Sequence, residues 1–414
     1  MSGAATIQVL YRTTVTTLQS ACVVALEFRH QNQLDDGHAD DSSAGLNAGS
    51  PSSCIRTTRG DRVMRDQVVV VTGASSGVGR AVARAYGAQG AKVALIARNR
   101  EALDACAAEI RQAGGEAMIH AVDVADADEV DRAADGTVQR WGRIDTWVNA
   151  AMATVFAPVR DTTAAEFRRV TEVSYLGYVH GTLAALRHML PRDHGTIVQI
   201  GSALAYRSIP LQSAYCGAKA AIRGFTDSLR CELIHDGSNV RLTHVHLPAV
   251  NTPQSQRQRN KMPRRQQPVP PLFSPESIAE AILWAADNAP REMLVGTPTV
   301  KAIVGQKVIP GPLDSYLATA GWEPQFVDEP NNQTGDILFE TLPGDPGAHG
   351  EYRERERGAD LQMRMRMNPI PSMLIALGIG IGVGAATLVR GASRAGDDWS
   401  RSAEWQTGAA ADRP

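Results

Sequence analysis

The sequence predicts an α/β fold, a doubly wound parallel sheet followed by a C-terminal extension. Three observations predict it. Residues 68–71 are an unbroken β-branched run that breaks at Gly73. Similar apolar runs alternate with helical patterns as far as about residue 320. The runs end at small or polar residues: Gly73, Asp123, Asn149, Ser202 and Pro248. Continuous apolar runs suit strands buried on both faces, as in a parallel sheet covered by helices. Strands that alternate with helices give parallel connections.

At 414 residues the chain can bury one large core or two domains. Its 42 basic and 44 acidic side chains nearly cancel, so no nucleic-acid partner is expected. The five cysteines are scattered without a C-x-x-C pair, which predicts neither zinc nor a redox dithiol and suits a cytoplasmic catalytic domain.

Residues 1–63 are rich in Thr, Ser, Asp and Gly and read as a disordered leader. Met64 stands directly before the first strong strand. One hypothesis makes it the biological start, with the preceding residues an artefact of gene calling. Residues 64–320 carry the alternating pattern, and 321–369 read as a loose extension rich in Pro, Gly and charge. Residues 370–389, "IPSMLIALGIGIGVGAATLV", hold no charge, and 390–414 form a tail. At about 1.5 Å per residue that uncharged stretch can cross a bilayer core as a transmembrane helix. Its glycines weaken a helix but suit close packing between membrane helices. Arg353, Arg355, Arg357, Arg364 and Arg366 outnumber Arg390, Arg394 and Arg401, which predicts a cytoplasmic catalytic domain with membrane anchoring through 370–389. The alternative is a Gly-rich tail on an oligomer surface.

The first strand leads into "TGASSGVG", residues 72–79, and then a helical pattern with Val82, Ala83 and Tyr86. Gly73, Ser75, Ser76, Gly77, Val78 and Gly79 form a glycine turn between strand and helix. Backbone N–H groups and the helix dipole there favour a phosphate, and glycines let it come close. The second strand, 92–97, supplies the context that makes this a dinucleotide site. At its end, where an acid would bind the ribose hydroxyls of NAD, stand Arg98 and Asn99. Arg98 can pair with a 2′-phosphate, so NADP is expected ahead of NAD. Strands are predicted at 117–122, 146–149, 196–202 and 240–248.

Residues 213–219 read "SAYCGAK". Tyr215 and Lys219 lie one helical turn apart on one face. They read either as a buried Tyr beside a solvated Lys, or as a proton donor tuned by a cation.

The ordered set "TGASSGVG", "DV" at 123–124, "NAA" at 149–151, Ser202 and "YCGAK" at 215–219 resembles the short-chain dehydrogenase/reductase family over residues 67 to about 300. The resemblance implies a Rossmann fold and an oxidoreductase acting on a carbonyl/alcohol pair, and a homo-oligomer. It implies that Tyr215 exchanges a proton with the substrate oxygen. Lys219 would lower the Tyr215 pKa and bind the nicotinamide ribose, and Ser202 would bond the carbonyl oxygen. Asp123 and Val124 would contact the adenine, Asn149 and Ala150 would lie along the cofactor, and Pro248 and Thr252 would stand near the nicotinamide. The tail motif "GDPGAHG", 344–350, resembles a bacterial subgroup with a C-terminal extension.

Three positions depart from the family pattern. The usual Asn-Asn-Ala-Gly is Asn149, Ala150, Ala151, Met152, and the usual Pro-Gly is Pro248-Ala249. Ser174, in "VSYLG", stands where an Asn usually holds a water of a proton relay. A serine can hold that water with one hydroxyl. The competing function is a non-catalytic NADP-binding sensor or scaffold on the same fold. A third reading makes membrane recruitment primary.

Other features carry weaker expectations. His244 and His246 face the same way on a strand, and read as ordinary strand residues rather than half a metal site. Cys216 reads as a small helix residue. Residues 251–273 hold five cations and no acid. They read as a solvated loop that covers the substrate, or as an attractor for an acidic or phosphorylated one.

Overall fold

β1 (Val68–Thr72), β2 (Lys92–Ala97) and β3 (Glu116–Ala121) alternate with α1 (Gly77–Ala88), α2 (Arg100–Gln112) and α3 (Ala127–Trp141) in a computed structural model that describes residues 66–368. β4 (Thr146–Asn149) follows, then the short β5 (Val155–Phe156), α4 (Ala164–Thr171), a π-helical turn (Glu172–Leu176) and α5 (Gly177–Met189). Next come β6 (Thr196–Ser202), α6 (Ser213–His235), β7 (Arg241–Leu247), the single turn α7 (Gln254–Arg257), β8 (Arg259–Asn260), β9 (Arg264–Gln266) and β10 (Leu272–Phe273). The chain continues through α8 (Pro275–Asn288), β11 (Glu292–Leu294), α9 (Thr297–Val308), α10 (Pro310–Ala320), β12 (Phe326–Pro330), β13 (Glu356–Arg357) and α11 (Leu361–Met367).

The central sheet has seven parallel strands in the order β11-β7-β6-β4-β1-β2-β3. All six predicted strands are present. The seventh, β11, pairs Glu292 with His244 and is only three residues long, too short to leave a periodic signal. Both faces of the sheet are buried. Val69, Val71, Val93 and Leu95 point toward α1, α2 and α8, while Val70, Ala94 and Ile96 point toward α3, α5 and α6. That alternation is the period of a strand, and burial on both faces explains the run of four valines, Val68 to Val71, in β1. The strand order reverses between β1 and β4, which opens a crevice at the carboxyl ends of both.

The extension corrects one expectation. Residues 321–368 are not loose. β12 pairs antiparallel with β9, β13 pairs parallel with β10, and Met363 of α11 is buried in the first core layer. Its ties are largely hydrogen bonds to backbone and charge pairs, which leave no hydrophobic period in the sequence.

The predicted leader at 1–63 and the predicted membrane segment at 370–389 lie outside the described residues. Among the described residues no helix is long and apolar enough to cross a membrane.

Candidate active site

The crevice holds a cavity of about 450 Å³. Gly73, Ser75, Ser76, Gly77, Val78, Gly79, Arg98, Asp123, Val124, Ala150, Ser202, Tyr215, Lys219, Pro248 and Thr252 all line it. The structure thus brings most of the predicted site residues to one place.

The glycine turn is built to admit a phosphate closely. Gly73 has φ 71°, and a Cβ there would lie 2.8 Å from the Ala151 backbone. A side chain at Gly79 would run into the carbonyl of Gly73. Ser76 precedes α1 without a side-chain cap, so the helix N-terminus keeps backbone N–H groups for another acceptor. Thr252 lies against this turn, its Cβ 3.1 Å from where a Gly77 Cβ would stand. These residues fit a nicotinamide dinucleotide.

At the opposite wall, Ser202 ends β6 and its Oγ accepts from the N–H of Leu204 at 3.1 Å. His246 Nδ1 donates to the Ser202 carbonyl at 3.3 Å and supports the strand end. Tyr215 and Lys219 rise from α6 as their spacing predicts. Burial pushes the Tyr215 phenol up to about 12, against the Ser202 hydroxyl, which draws it down. Burial pushes the Lys219 ammonium down to about 7. The predicted depression of Tyr215 by Lys219 is therefore not what this site shows. The Lys219 Nζ stands 5.7 Å from the Tyr215 ring centre, and its hydrogen bonds run to the Tyr178 Oη at 2.8 Å and the Ile200 carbonyl at 2.7 Å.

Two predicted residues are placed elsewhere. Ser174 is fully buried in the π-helical turn. Its Oγ donates to the Ala153 carbonyl at 2.7 Å and accepts from the Ala153 N–H at 2.8 Å, so the hydroxyl is engaged with backbone rather than with a relay water. Asn149 is also fully buried. Its amide donates to Gln199 Oε1 at 3.0 Å and Thr182 Oγ1 at 3.2 Å, and it accepts from Trp147 Nε1 at 2.8 Å. It braces the floor under the crevice instead of lining it.

Tyr178 was missed in the sequence reading. It lines the cavity beside Lys219. The signal was its place one turn after Ser174, on the same helical face.

The extension crosses the cofactor end of the cavity. Arg98 donates to the carbonyls of Phe339, at 2.8 Å, and Ile337. Asn99 donates to the Leu342 carbonyl at 2.9 Å. Arg80, 1% exposed, joins Asp345 of the "GDPGAHG" motif to Glu109 of α2. The Gly77 N–H donates to the Gly347 carbonyl at 3.2 Å. Asp123 accepts from Arg169, whose Nε donates to the Leu338 carbonyl at 3.0 Å.

Four of the five cations in the basic stretch 251–273 are paired with acids. Arg259 pairs with Glu166 and Asp336, Lys261 with Glu166, Arg264 with Glu323, and Arg265 with Glu329 and Glu351. Arg257 donates to the Leu342 carbonyl at 2.9 Å. The alternative reading, an attraction for an acidic substrate, is weakened by these ion pairs and is left to Arg257. Most of the remaining lining is uncharged and includes Met152, Leu204, Ile209, Gln212, Val250 and Val269. The charged residues among the lining are Arg98, Asp123, Lys219 and Arg257.

His244 and His246 stack within the sheet, ring centres 4.1 Å apart. Among the described residues they are not part of any group of three or more His, Cys, Asp or Glu side chains able to hold a metal. Burial pushes the Cys216 thiol up, as a small helix residue away from an activating charge should be.

A family model described as short chain dehydrogenase matches residues 67–263. The chain is similar to the Bacillus subtilis protein named Uncharacterized oxidoreductase YxnA, with 33% identity over 282 residues, 67% of this chain and 79% of that one. It is similar to a fatty acyl-CoA reductase of Acinetobacter baylyi, with 30% identity over 232 residues, 56% of this chain and 76% of the relative. It is also similar to dehydrogenase/reductase SDR family member 7B of Rattus norvegicus, with 36% identity over 204 residues, 48% of this chain and 62% of the relative.

Proposed function

Because the chain belongs to the short-chain dehydrogenase/reductase family, and is therefore an oxidoreductase with a nicotinamide cofactor, we propose that it is NADP-dependent and acts on a neutral, largely apolar carbonyl/alcohol pair with Tyr215 as proton donor and acceptor. One observation carries this reading. Ser202, Tyr215 and Lys219 share a single cavity with the glycine turn.

When bound, the nicotinamide supplies the hydride chemistry. Ser202 holds the substrate oxygen and stabilises the charge that grows on it. The Tyr215 phenol, held near 12 by burial, keeps its proton at neutral pH and stands ready to give it in the reducing direction. Lys219 places a positive charge beside the phenol and donates toward the cofactor's ribose. Arg98 receives the 2′-phosphate at the end of β2, and Asp123 and Val124 take the adenine end. The largely uncharged lining favours an apolar substrate body over a carboxylate or phosphate.

A screen following NADPH absorbance tests this. It sets neutral aldehydes, ketones and alcohols against their carboxylated and phosphorylated counterparts, with a fatty acyl-CoA included because of the Acinetobacter relative's name. Turnover confined to neutral apolar carbonyls is expected. Preference for the anionic set would overturn the substrate class. The sensor or scaffold reading draws on the Ser174 hydroxyl being engaged by Ala153, and binding of NADPH without turnover of any class would favour it. A homo-oligomer is part of the same proposal, and light scattering checks it.

A further inference from the structure

We propose that Tyr178 is a positioning residue of this centre, its phenol holding the Lys219 ammonium in place beneath Tyr215. The proposal deepens the reading of Ser202, Tyr215 and Lys219 given above and rests on it.

Lys219 is only 2% exposed, and a buried ammonium needs acceptors. It has two here. Its Nζ donates to the Tyr178 Oη at 2.8 Å and to the Ile200 carbonyl at 2.7 Å. The Tyr178 Oη in turn donates to the same Ile200 carbonyl at 3.0 Å, which closes a triangle. An ammonium carries three N–H donors, so two are fixed and one is left for the cavity that both side chains line. The Tyr178 ring adds its face, 4.4 Å from Nζ. Tyr178 is itself held firmly, because its carbonyl accepts from Thr182 Oγ1 at 2.7 Å and from Asn149 at 3.3 Å.

The sequence departure at Ser174 gains a meaning from this. Its hydroxyl is engaged by Ala153, so it gives Lys219 nothing. One turn later on the same face, Tyr178 supplies the acceptor instead. Burial and the neighbouring Tyr215 hold the Tyr178 phenol far above its ordinary value, so it remains a neutral hydroxyl. The titratable groups that face Lys219 are Tyr178 from α5, Tyr215 from α6 and His244 from β7; behind His244 come His246 of the same strand and then Glu292 of β11, which pairs with His246.

The test is Tyr178→Phe, which keeps the ring and removes the acceptor. NADPH affinity by fluorescence and turnover of the best neutral carbonyl are followed from mildly acidic to alkaline pH, a range that brackets the Lys219 value of about 7. In the parent both decline as Lys219 loses its proton. Without the acceptor the protonated form is less favoured, so the decline should move to lower pH, and kcat should fall roughly tenfold to a hundredfold with little change in substrate KM. A merely structural role would leave the pH position alone. A ring-fluorinated tyrosine at 178 keeps shape and hydroxyl but accepts more weakly, and should shift the decline in the same direction even if the Phe variant misfolds. An unchanged pH position in a folded variant of a parent that binds NADPH would overturn the role of Tyr178 alone. A parent that binds neither NADPH nor NADH would overturn the underlying reading, and this proposal with it.

Discussion

The guanidinium of Arg98 donates to the carbonyl of Ile337, a residue 239 positions further along the chain. The C-terminal extension thus holds the side chain expected to select the cofactor. The fork is occupied by two neutral carbonyls, those of Ile337 and Phe339. A phosphate would add a full opposite charge and a bidentate fit to the same donors, which a neutral carbonyl lacks. The carbonyls orient Arg98, and the proposed NADP preference requires a 2′-phosphate to compete with them for its donors.

Cofactor choice follows from that balance. The parent should bind NADPH more tightly than NADH, and Arg98→Ala should shrink the ratio by roughly tenfold. Fluorescence titration with both cofactors measures it. Equal affinities in the parent would end the case for NADP.

Proton transfer comes next. Tyr215→Phe keeps the ring and removes the donor, so turnover should fall by roughly a hundredfold or more with NADPH affinity largely kept. Lys219→Ala should harm both, since the ammonium serves the phenol and the ribose. Turnover of Tyr215→Phe at the parent rate would exclude this residue as the proton donor.

Ser174 separates a relay from a brace. Its hydroxyl satisfies both the N–H and the carbonyl of Ala153 in a fully buried position. Ser174→Ala should therefore cost about 1–3 kcal/mol of stability while turnover per folded molecule stays within roughly a factor of two. Urea unfolding and initial rates decide between them. Lost turnover at unchanged stability would return Ser174 to the relay.

The sheet and most of its ligand edge were legible because they obey periodic rules. Residues 68–71 had to be a buried strand, and the turn after them had to be glycine because the Ala151 backbone passes 2.8 Å from a Gly73 Cβ. Helical spacing placed Tyr215 and Lys219 on one face, and the family resemblance chose between the two readings that the spacing left open. The extension was not, because Arg98, Asn99 and Gly77 bind its carbonyls, and a carbonyl has no residue identity. The pairing of Arg259 with Asp336 and of Arg265 with Glu351 was hidden for another reason. The partners lie 77 and 86 positions apart, and only the folded chain brings them together. The engagement of Ser174 with Ala153 and the contact of Tyr178 with Lys219 were hidden because they depend on a π-helical turn, Glu172–Leu176, that leaves no signal in the pattern.

Glu166 makes the basic segment's anchoring testable by pH. It is 4% exposed, closes a capping box with Thr163, and pairs with Arg259 and Lys261. Burial alone would raise its carboxyl. The Thr163 N–H, Lys261 and Arg259 overcome that and hold it near 2, below its ordinary 4.5. A carboxyl lowered in the folded state stabilises the fold above its unfolded value, and that stability is lost as pH falls through the folded value. The parent should therefore lose part of its stability between those two values. Glu166→Gln keeps the shape but not the charge, and should be less stable at neutral pH by about 2 kcal/mol with a shallower acid loss. Urea midpoints at neutral and acid pH measure both. Arg259 follows Gln258, which lines the cavity, and Lys261 lies in the same segment, so the variant should also raise substrate KM more than it lowers kcat. An identical acid slope in parent and variant would mean that Glu166 is not what holds this segment down.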